Sequence, residues 1–256
     1  MIRFHGIGAS SGVATGPAEV RRFELPEIVP HKVSDPVPEA ARLDRAIEAV
    51  LARLTALEER ASADAGDEVG EIFEAHRMFL EDPSFSGAAR EMIHDDLLCA
   101  EAAVERTVET LAAEFEDIGD EYFAARAADM RDIGNQLIRE VLGIGQAGFA
   151  DLEVPSVIVA YDLTPSETVT IPSGMALAFV TEVGSPTSHT AILARSLGIP
   201  AVVGIGGMEV ASGAIIAVDG QAGTVWVDPD PTTLSALEDR KAHDDARQAL
   251  AAVHAA

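Results

Sequence analysis

Residues 184–200 read GSPTSHTAILARSLGIP, and short apolar runs lie on both sides of this segment. It opens with Gly184, continues through hydroxyl side chains and returns to glycine at Gly198. Ser and Thr cap helix N-termini, whereas glycine ends helices in the left-handed conformation. The pattern therefore predicts a strand, a loop, a helix from Ser188 to about Leu197, a turn and a second strand.

His189 falls in the first turn of this predicted helix, directly after Thr187 or Ser188 as N-cap. A helix N-terminus presents unpaired N–H groups and roughly half a positive charge, which suits a bound phosphate group. Neutral imidazole is nucleophilic near pH 7 and can carry a transferable group. The residues alone leave two interpretations open: His189 carries phosphate, or it is an ordinary capping or surface residue.

The segments around it predict an α/β architecture. Short apolar runs bounded by Gly and Pro are typical of strands in a buried sheet, and a short helix is expected from Pro165 to about Thr170. The glycine-rich segment 2–22 predicts short strands that join the same sheet. The apolar runs are 156–160, 176–180, 201–203 and 214–218.

Between the glycine-rich segment and the first of these apolar runs, apolar residues recur every three to four positions, as in helices. This pattern predicts an inserted bundle or pair of hairpins. Four helical stretches are expected: from Glu39, Asp67 to Leu80, about Ser84 to Phe115 with a break left open, and Asp120 to Leu142. The alanine-rich C-terminal segment predicts a protruding or linker helix. The predicted domains are an α/β domain at 1–30 and 144–230, a helical domain at 31–143 and a linker helix at 231–256.

Composition excludes several classes of protein. The 18 Lys and Arg residues against 43 Asp and Glu give a formal net charge of −25, which rules out an ordinary basic nucleic-acid surface. No apolar run approaches the ~20 residues of a membrane-spanning helix. The single cysteine, Cys99, excludes an internal disulfide and any multi-thiolate metal site.

The N-terminus lacks the features of a signal peptide, so a cytoplasmic location is expected. The acidity fits either a halophilic surface or steering of a basic partner.

Several collinear motifs resemble one protein family. The segment around Thr187-Ser188-His189 is similar to the active-site segment of the phosphohistidine swivelling domain in phosphoenolpyruvate-utilising enzymes. Across nearly the whole chain, the sequence resembles the amino-terminal half of Enzyme I of the phosphoenolpyruvate sugar phosphotransferase system. The further matching segments are 6–14, 72–76, 80–82, 126–134 and 162–168.

The resemblance implies a fold and an activity. The fold would be a phosphohistidine swivelling β/β/α domain with an inserted four-helix subdomain, built as paired hairpins, and a C-terminal linker helix. His189 would accept phosphate at Nε2 from phosphoenolpyruvate and pass it to a histidine of the phosphocarrier protein HPr. The Thr168 hydroxyl would orient His189. An ordinary cap is the alternative role for Thr168.

The resemblance also implies what lies outside this chain. Phosphoenolpyruvate and Mg²⁺ would bind a C-terminal barrel domain, so no cofactor is expected in this chain. The residues themselves predict no metal site either, because the histidines are dispersed along the sequence. This chain alone would exchange phosphate with phospho-HPr, would not phosphorylate itself, and would be monomeric. It would be either a piece of a longer enzyme or part of a fusion, and no membrane insertion is expected.

Partner-binding residues are expected on the second helix and at the start of the last bundle helix. Apolar anchors with acidic flanks would suit a basic carrier, but Ile72 and Phe79 would equally suit a bundle core and His76 a solvated position. The expected contacts are Asp67, Glu68, Ile72, His76, Phe79 and Arg126. The expected phosphate environment comprises Gly184, Thr187, Ser188 and Arg195. For Arg195 the alternative is a buried structural pairing, for example with a neighbouring carboxylate.

Two other functions remain compatible with the sequence. One is an Enzyme I-like module of a dihydroxyacetone-kinase phosphotransfer protein, which would use His189 with a different acceptor. The other is a non-catalytic, HPr-binding regulatory module. The non-catalytic alternative stays open because of one departure from the family pattern. Most relatives have Gly-Gly followed by Arg or Lys before Thr-Ser-His, whereas this chain has Gly184-Ser185-Pro186.

Overall fold

The computed structural model describes residues 1–242, except the side chains of Glu121 and Tyr122, and the chain divides into two compact units. The α/β unit comprises Met1–Arg22, Phe149–Leu163 and the chain from Thr170 onward. The helical unit comprises Phe23–Gly148 and the short segment Thr164–Val169. Each unit is described below by itself.

A single mixed sheet forms the α/β unit. Among residues 1–242 it has eight strands in the order β1-β8-β7-β3-β4-β5-β6-β2, and the four neighbours from β3 to β6 are parallel. The N-terminal strands join this sheet, as predicted. The strands are β1 (Ile2–His5), β2 (Ile7–Ser10), β3 (Val13–Val20), β4 (Ser156–Ala160), β5 (Ala176–Thr181), β6 (Ala201–Val203), β7 (Ile215–Asp219) and β8 (Thr224–Val227).

The centre of this sheet is apolar on both faces. All five residues of β4 are buried, which explains why they form a continuous apolar run rather than an alternating one. Val157, Val180 and Val202 from three neighbouring strands are fully buried in one core cluster. The sequence analysis missed only β8 in this sheet, because its four residues follow a turn too closely to stand out as a separate run.

The helical unit contains five long helices between residues 36 and 142, one more than the four predicted. The third predicted stretch is two helices, because Leu97 adopts a left-handed conformation (φ 56°) and Cys99 is extended before the next helix begins. The helices are α1 (Pro36–Ala65), α2 (Asp67–Glu81), α3 (Pro83–Asp95), α4 (Ala100–Glu116) and α5 (Glu121–Leu142). No helix in the described chain is long and apolar enough to cross a membrane.

Local chemistry sets the ends of these helices. Asp35 caps α1 by accepting a hydrogen bond from the Val37 N–H, and Asp82 caps α3 by accepting from the Ser84 N–H at 2.7 Å. Gly66 separates α1 from α2 at φ 95°, a conformation that side chains with a Cβ avoid. These caps and breaks place the helix boundaries close to those predicted.

The described start of the C-terminal segment packs on the sheet, whereas the sequence predicted a protruding or linker helix. Residues 231–242 are helical, and Leu237 is buried against Val13, Ala217 and Trp226. The Arg240 guanidinium donates two hydrogen bonds to the carboxylate of Asp219 at the end of β7. The rest of the predicted linker helix, residues 243–256, lies outside the described residues.

The close approach of α4 and α5 depends on Gly134. A Cβ at this position would lie 2.5 Å from one methyl group of Val108, far inside van der Waals contact. We expect Gly134→Ala to destabilise the protein by about 1–3 kcal/mol, because the helices must separate or Val108 must leave its rotamer. Urea unfolding measures this change.

Gly87 provides the matched control on α3. A Cβ there meets no atom within 4 Å, so Gly87→Ala should be neutral or stabilising by up to about 1 kcal/mol. Equal effects of the two substitutions would contradict the packing argument.

Candidate functional site around His189

His189 is the first residue of helix α7 (His189–Ser196), which follows β5. Ser188 is its N-cap, with extended backbone and a side-chain oxygen that accepts a hydrogen bond from the Ala191 N–H at 3.4 Å. The predicted helix and its cap are therefore confirmed. The His189 side chain is half-buried, so the ring is supported by the fold and still reaches solvent.

The loop that leads into α7 is organised by glycine and hydroxyl groups. Gly184 has φ 116°, which L side chains rarely adopt. The Ser185 and Thr187 hydroxyls lie 2.8 Å apart, and the Thr187 N–H donates to Ser185 Oγ at 3.2 Å. Gly184 and Thr187 are exposed and Ser188 is half-buried, so this predicted phosphate environment lies at the surface beside His189.

Arg195 holds the same loop from the far end of α7. Its Nη1 donates to the carbonyl oxygens of Ala9 at 3.0 Å and Pro186 at 2.9 Å. Its structural partners are thus backbone carbonyls, not the neighbouring carboxylate considered from the sequence. The guanidinium joins β2 to the loop before His189, and its role in this structure is to fix that loop.

Asp162 is the titratable neighbour of His189 that the sequence analysis did not single out. It follows β4, and its charge interacts with that of His189. Desolvation raises the pKa of the Asp162 carboxyl, although the Leu163 N–H and the His189 charge oppose this shift. The Thr190 hydroxyl donates to the Leu163 carbonyl at 3.0 Å, which ties the start of α7 to the segment after β4.

The sequence signal for Asp162 is its position shortly after the predicted strand 156–160, and the strand pairing gives that position its meaning. Carboxyl ends of adjacent parallel strands meet at one edge of a sheet, where ligands of α/β proteins commonly bind. β4 and β5 are parallel neighbours, so the residues that follow them converge. The same edge borders a cavity of about 460 Å³ whose walls include Arg21, Arg22, Tyr161, Glu182, Met208 and Glu209.

Thr168 lies in the helical unit, on the short helix α6 (Pro165–Thr168). A reciprocal capping box between Thr164 and Glu167 starts this helix. The Thr168 hydroxyl is 3.0 Å from the carbonyl oxygens of both Thr164 and Pro165 and donates within its own turn. Its orienting role toward His189, which belongs to the α/β unit, remains a prediction.

A buried polar cluster anchors α6 to the long helices of the same unit. Asp132 on α5 accepts a hydrogen bond from Ser166 Oγ at 2.6 Å and lies 3.4 Å from the Ser166 N–H. His76 Nε2 lies 3.1 Å from Asp129 Oδ1, while Arg126 donates to the other oxygen of Asp129 at 3.0 Å. His76, Asp129 and Asp132 are at most 4% exposed.

His76 is therefore neither a solvated residue nor a surface contact in this structure. It lies on the inward stripe of α2 with Val69, Phe73 and Leu80, because a period of three to four residues places these side chains on one face. The other residues predicted to contact a partner are at least partly accessible. Asp67 and Glu68 are exposed, and Ile72, Phe79 and Arg126 are half-buried.

Phe79 is held in an aromatic cluster, which the sequence pattern did not indicate. Its ring packs edge-on against Phe115 with centroids 6.3 Å apart, and Phe115 stacks on Phe123 at 6.0 Å. Met78 beside it is 64% exposed and is the most accessible apolar side chain of α2. Sequence reasoning missed this exposed apolar side chain.

Comparisons with known proteins agree with this architecture. A family model described as PEP-utilising enzyme, N-terminal, matches residues 5–126, and one described as PEP-utilising enzyme, mobile domain, matches residues 152–223. An NMR solution structure of Enzyme I (nEIt) is 39% identical with a TM-score of 0.79, and the match covers 94% of this chain and 99% of that one. This chain belongs to the Enzyme I family.

Longer members of the Enzyme I family also match. Phosphoenolpyruvate-protein phosphotransferase from Geobacillus stearothermophilus is 37% identical over 249 residues, and that from Priestia megaterium is 37% identical over 247 residues. The matches cover 96% and 95% of this chain. The chain spans 43% of the length of each of these relatives, and it corresponds to the amino-terminal domain of Enzyme I.

The raised pKa of Asp162 predicts a pH-dependent stability difference. The folded protein binds more protons than the unfolded chain between the ordinary pKa of about 3.9 and the folded pKa, so ionisation of Asp162 lowers stability as pH rises through this window. Asp162→Asn keeps an oxygen for the Leu163 N–H. We expect its thermal midpoint to exceed that of the wild type at pH 7 and the two to converge below pH ~3.

Asp151 provides a control of opposite sign. The Arg21 guanidinium, whose Nη1 lies 2.5 Å from Asp151 Oδ1, lowers the pKa of that carboxyl. Asp151 therefore contributes stability above its ordinary pKa that is lost as pH falls through its folded pKa. Asp151→Asn should lower the midpoint at pH 7 and converge with the wild type in acid. The same sign for both variants would refute the assignment.

Proposed function

We propose that this chain is the phosphoryl-carrying part of an Enzyme I, with His189 as the residue that bears the phosphoryl group. The observation that carries the proposal is the half-buried His189 ring on the capped first turn of α7, within a chain of this family. The phosphoryl group comes from phosphoenolpyruvate through a further domain of the longer enzyme. It leaves to a histidine of HPr.

The exchange with HPr conserves atoms and bond types. A lone pair on the neutral His189 imidazole attacks the phosphorus of an HPr phosphohistidine that is protonated on its other ring nitrogen, and one N–P bond forms as the other breaks. The HPr imidazole keeps that proton and leaves neutral, while His189 keeps its own ring proton and becomes the protonated phosphohistidine. Because donor and acceptor are both imidazoles, the step is close to balanced and reversible. The partial positive charge at the α7 N-terminus favours the anionic group on His189.

Thr168 is proposed to orient the His189 ring in this step. A hydroxyl that is itself fixed can hold an imidazole in one rotamer and one tautomer. Support comes from the rigid attachment of α6, because Asp132 binds both the hydroxyl and the backbone N–H of Ser166 two residues before Thr168. The buried position of Thr168, at 4% exposure, restricts its rotamers further.

HPr is proposed to dock on the outer face of α2. Asp67 and Glu68 provide exposed negative charge at the start of this helix, and Met78 provides an exposed apolar contact near its end. Complementary charge accelerates encounter with a basic partner. His76 lies beneath this face and pairs with Asp129, and Asp129 also binds Arg126.

Incubation of this chain with phospho-HPr tests the proposed transfer. We expect the intact mass at alkaline pH to rise by one phosphoryl group in the wild type and to remain unchanged in His189→Ala. Radiolabelled phosphoenolpyruvate alone should leave the chain unlabelled, and labelling would contradict the proposed dependence on a further domain. Failure of the wild type to gain phosphate, with binding to HPr intact, would leave a non-catalytic HPr-binding module.

Thr168→Val separates orientation from docking in the same assay. The variant keeps the shape of the side chain and removes the hydroxyl. We expect the maximal exchange rate to fall by about tenfold or more while the half-saturating HPr concentration stays the same. An unchanged rate would restrict Thr168 to its local capping role.

Charge reversal on α2 tests the docking face. Asp67→Lys combined with Glu68→Lys should weaken HPr binding roughly tenfold at low salt, since two exposed charge pairs contribute up to about 2 kcal/mol together. The difference should shrink at high salt. Glu48→Lys, at an exposed position of α1, is the matched control and should bind like the wild type. Titration calorimetry at two salt concentrations decides between these outcomes.

A further inference from the structure

We propose that His31, Cys99 and Glu101 form a binding site for a zinc-type divalent transition metal ion in the helical unit. One ligand atom from each of these side chains lies within 4.8 Å of the other two. The site belongs to no part of the proposed transfer reaction, and the argument for it does not depend on His189. It also differs from the expectation, drawn from dispersed histidines in the sequence, that the chain holds no metal.

Backbone pairing brings these distant residues together. The connector before α1 runs antiparallel to the segment between α3 and α4, with an isolated bridge between Lys32 and Leu98. The Val33 N–H donates to the Leu97 carbonyl at 2.7 Å, and the Cys99 N–H donates to the His31 carbonyl at 3.1 Å. Cys99 is the N-cap of α4, at the break within the third predicted helical stretch.

The donor set has the chemistry of a zinc site. Thiolate, imidazole and carboxylate are the three common zinc ligands, and three protein ligands with a fourth open position are typical of sites that retain a water molecule. Zinc bond lengths of about 2.0–2.3 Å place tetrahedral ligand atoms about 3.3–3.6 Å apart. The ligand atoms must therefore close in by up to about 1.5 Å, which requires rotation of the His31 and Glu101 side chains.

Glu101 offers a carboxylate oxygen that accepts no hydrogen bond from the protein. The residue is only 9% exposed, and its Oε2 is buried without a hydrogen bond. A buried carboxylate oxygen without a hydrogen bond is costly and rare in native proteins. This oxygen forms an ion pair with Arg42, whose Nη2 lies 3.4 Å from Oε2. A cation coordinated by this oxygen would satisfy it.

Arg42 carries a positive charge that would repel a metal ion here, and Glu39 already neutralises this charge. Its Nη1 donates to both oxygens of Glu39 at 2.9 and 2.8 Å, and its Nη2 donates to the Val141 carbonyl at 3.0 Å. Glu39 also accepts the Ala100 N–H at 2.9 Å, next to the cluster. The Arg42 and Glu39 pair is thus neutral, and Glu101 and a Cys99 thiolate would balance a divalent ion.

The His31 ring has the supporting contact that metal-binding histidines usually show. Its Nδ1 lies 3.3 Å from the Val29 carbonyl, so an Nδ1–H donor leaves the lone pair on Nε2. Such a contact fixes the tautomer and the ring orientation of a ligand histidine. His31 is also exposed, which gives an ion access to the buried Cys99. Binding would release the thiol proton to solvent.

Cobalt titration of this chain tests the site, with Co²⁺ as the spectroscopic substitute for zinc. Cys99 is the single cysteine, so a sulfur-to-cobalt charge-transfer band can arise only from this residue. We expect the band to saturate at one ion per chain and to disappear in Cys99→Ser. Co²⁺ bound by surface carboxylates gives no such band, which separates the site from the acidic surface.

The other two ligands are tested in the same titration. His31→Ala and Glu101→Gln should each raise the dissociation constant by at least about tenfold, whereas His94→Ala, an exposed histidine of α3, should have no effect. Zn²⁺ should raise the thermal midpoint of the wild type and of His94→Ala but not that of Cys99→Ser. Circular dichroism without metal checks that each variant is folded.

Two outcomes would overturn the proposal. The first is the absence of a sulfur-to-cobalt band in folded wild type at millimolar Co²⁺. The second is a band whose affinity is unchanged in His31→Ala and Glu101→Gln, which would mean an isolated thiol contact instead of a built site. Neither outcome bears on phosphate transfer through His189.

Discussion

The parallel pairing of β4 with β5 is the constraint on which the site depends. Parallel strands end at the same edge of a sheet, so the segment after β4 and the loop before α7 must lie side by side. The hydrogen bond from Thr190 to the Leu163 carbonyl fixes that neighbourhood, and Asp162 and His189 interact because of it. The strand pairing therefore places a helix N-terminus, an imidazole and a carboxylate at one edge of the sheet. No pattern in the sequence links these groups to one another.

The connection between β4 and β5 also explains why the helical unit matters for the proposed chemistry. The short helix α6 lies in this connection but belongs to the helical unit by packing. The buried Asp132 of that unit holds Ser166 of α6. Asp132 lies near His76, and His76 in turn faces Asp129. Buried polar groups of this kind are stable only when their partners are in place, so the cluster favours one fixed position of α6 over alternatives.

Much of the fold follows from local patterns. Four of the apolar runs became strands β4 to β7, and the hydroxyl and glycine signals correctly placed α7. The predictions that were left open or were wrong concerned patterns with two interpretations. The break at Leu97 has no glycine or proline to mark it, and the apolar stripe of α2 does not reveal that His76 faces inward with a buried acid. Leu237 gave too weak an apolar signal to show that its helix packs on the sheet.

The sequence by itself determined the identity of the family, the alternation of strands and helices and the position of His189 on a helix N-terminus, because all three are encoded in residues close together along the chain. Only the tertiary structure decided that Asp162 lies within electrostatic range of His189, that Arg195 binds backbone carbonyls and that His31, Cys99 and Glu101 converge. Those contacts join residues from different elements, and their distances depend on strand pairing and helix packing that no local pattern specifies.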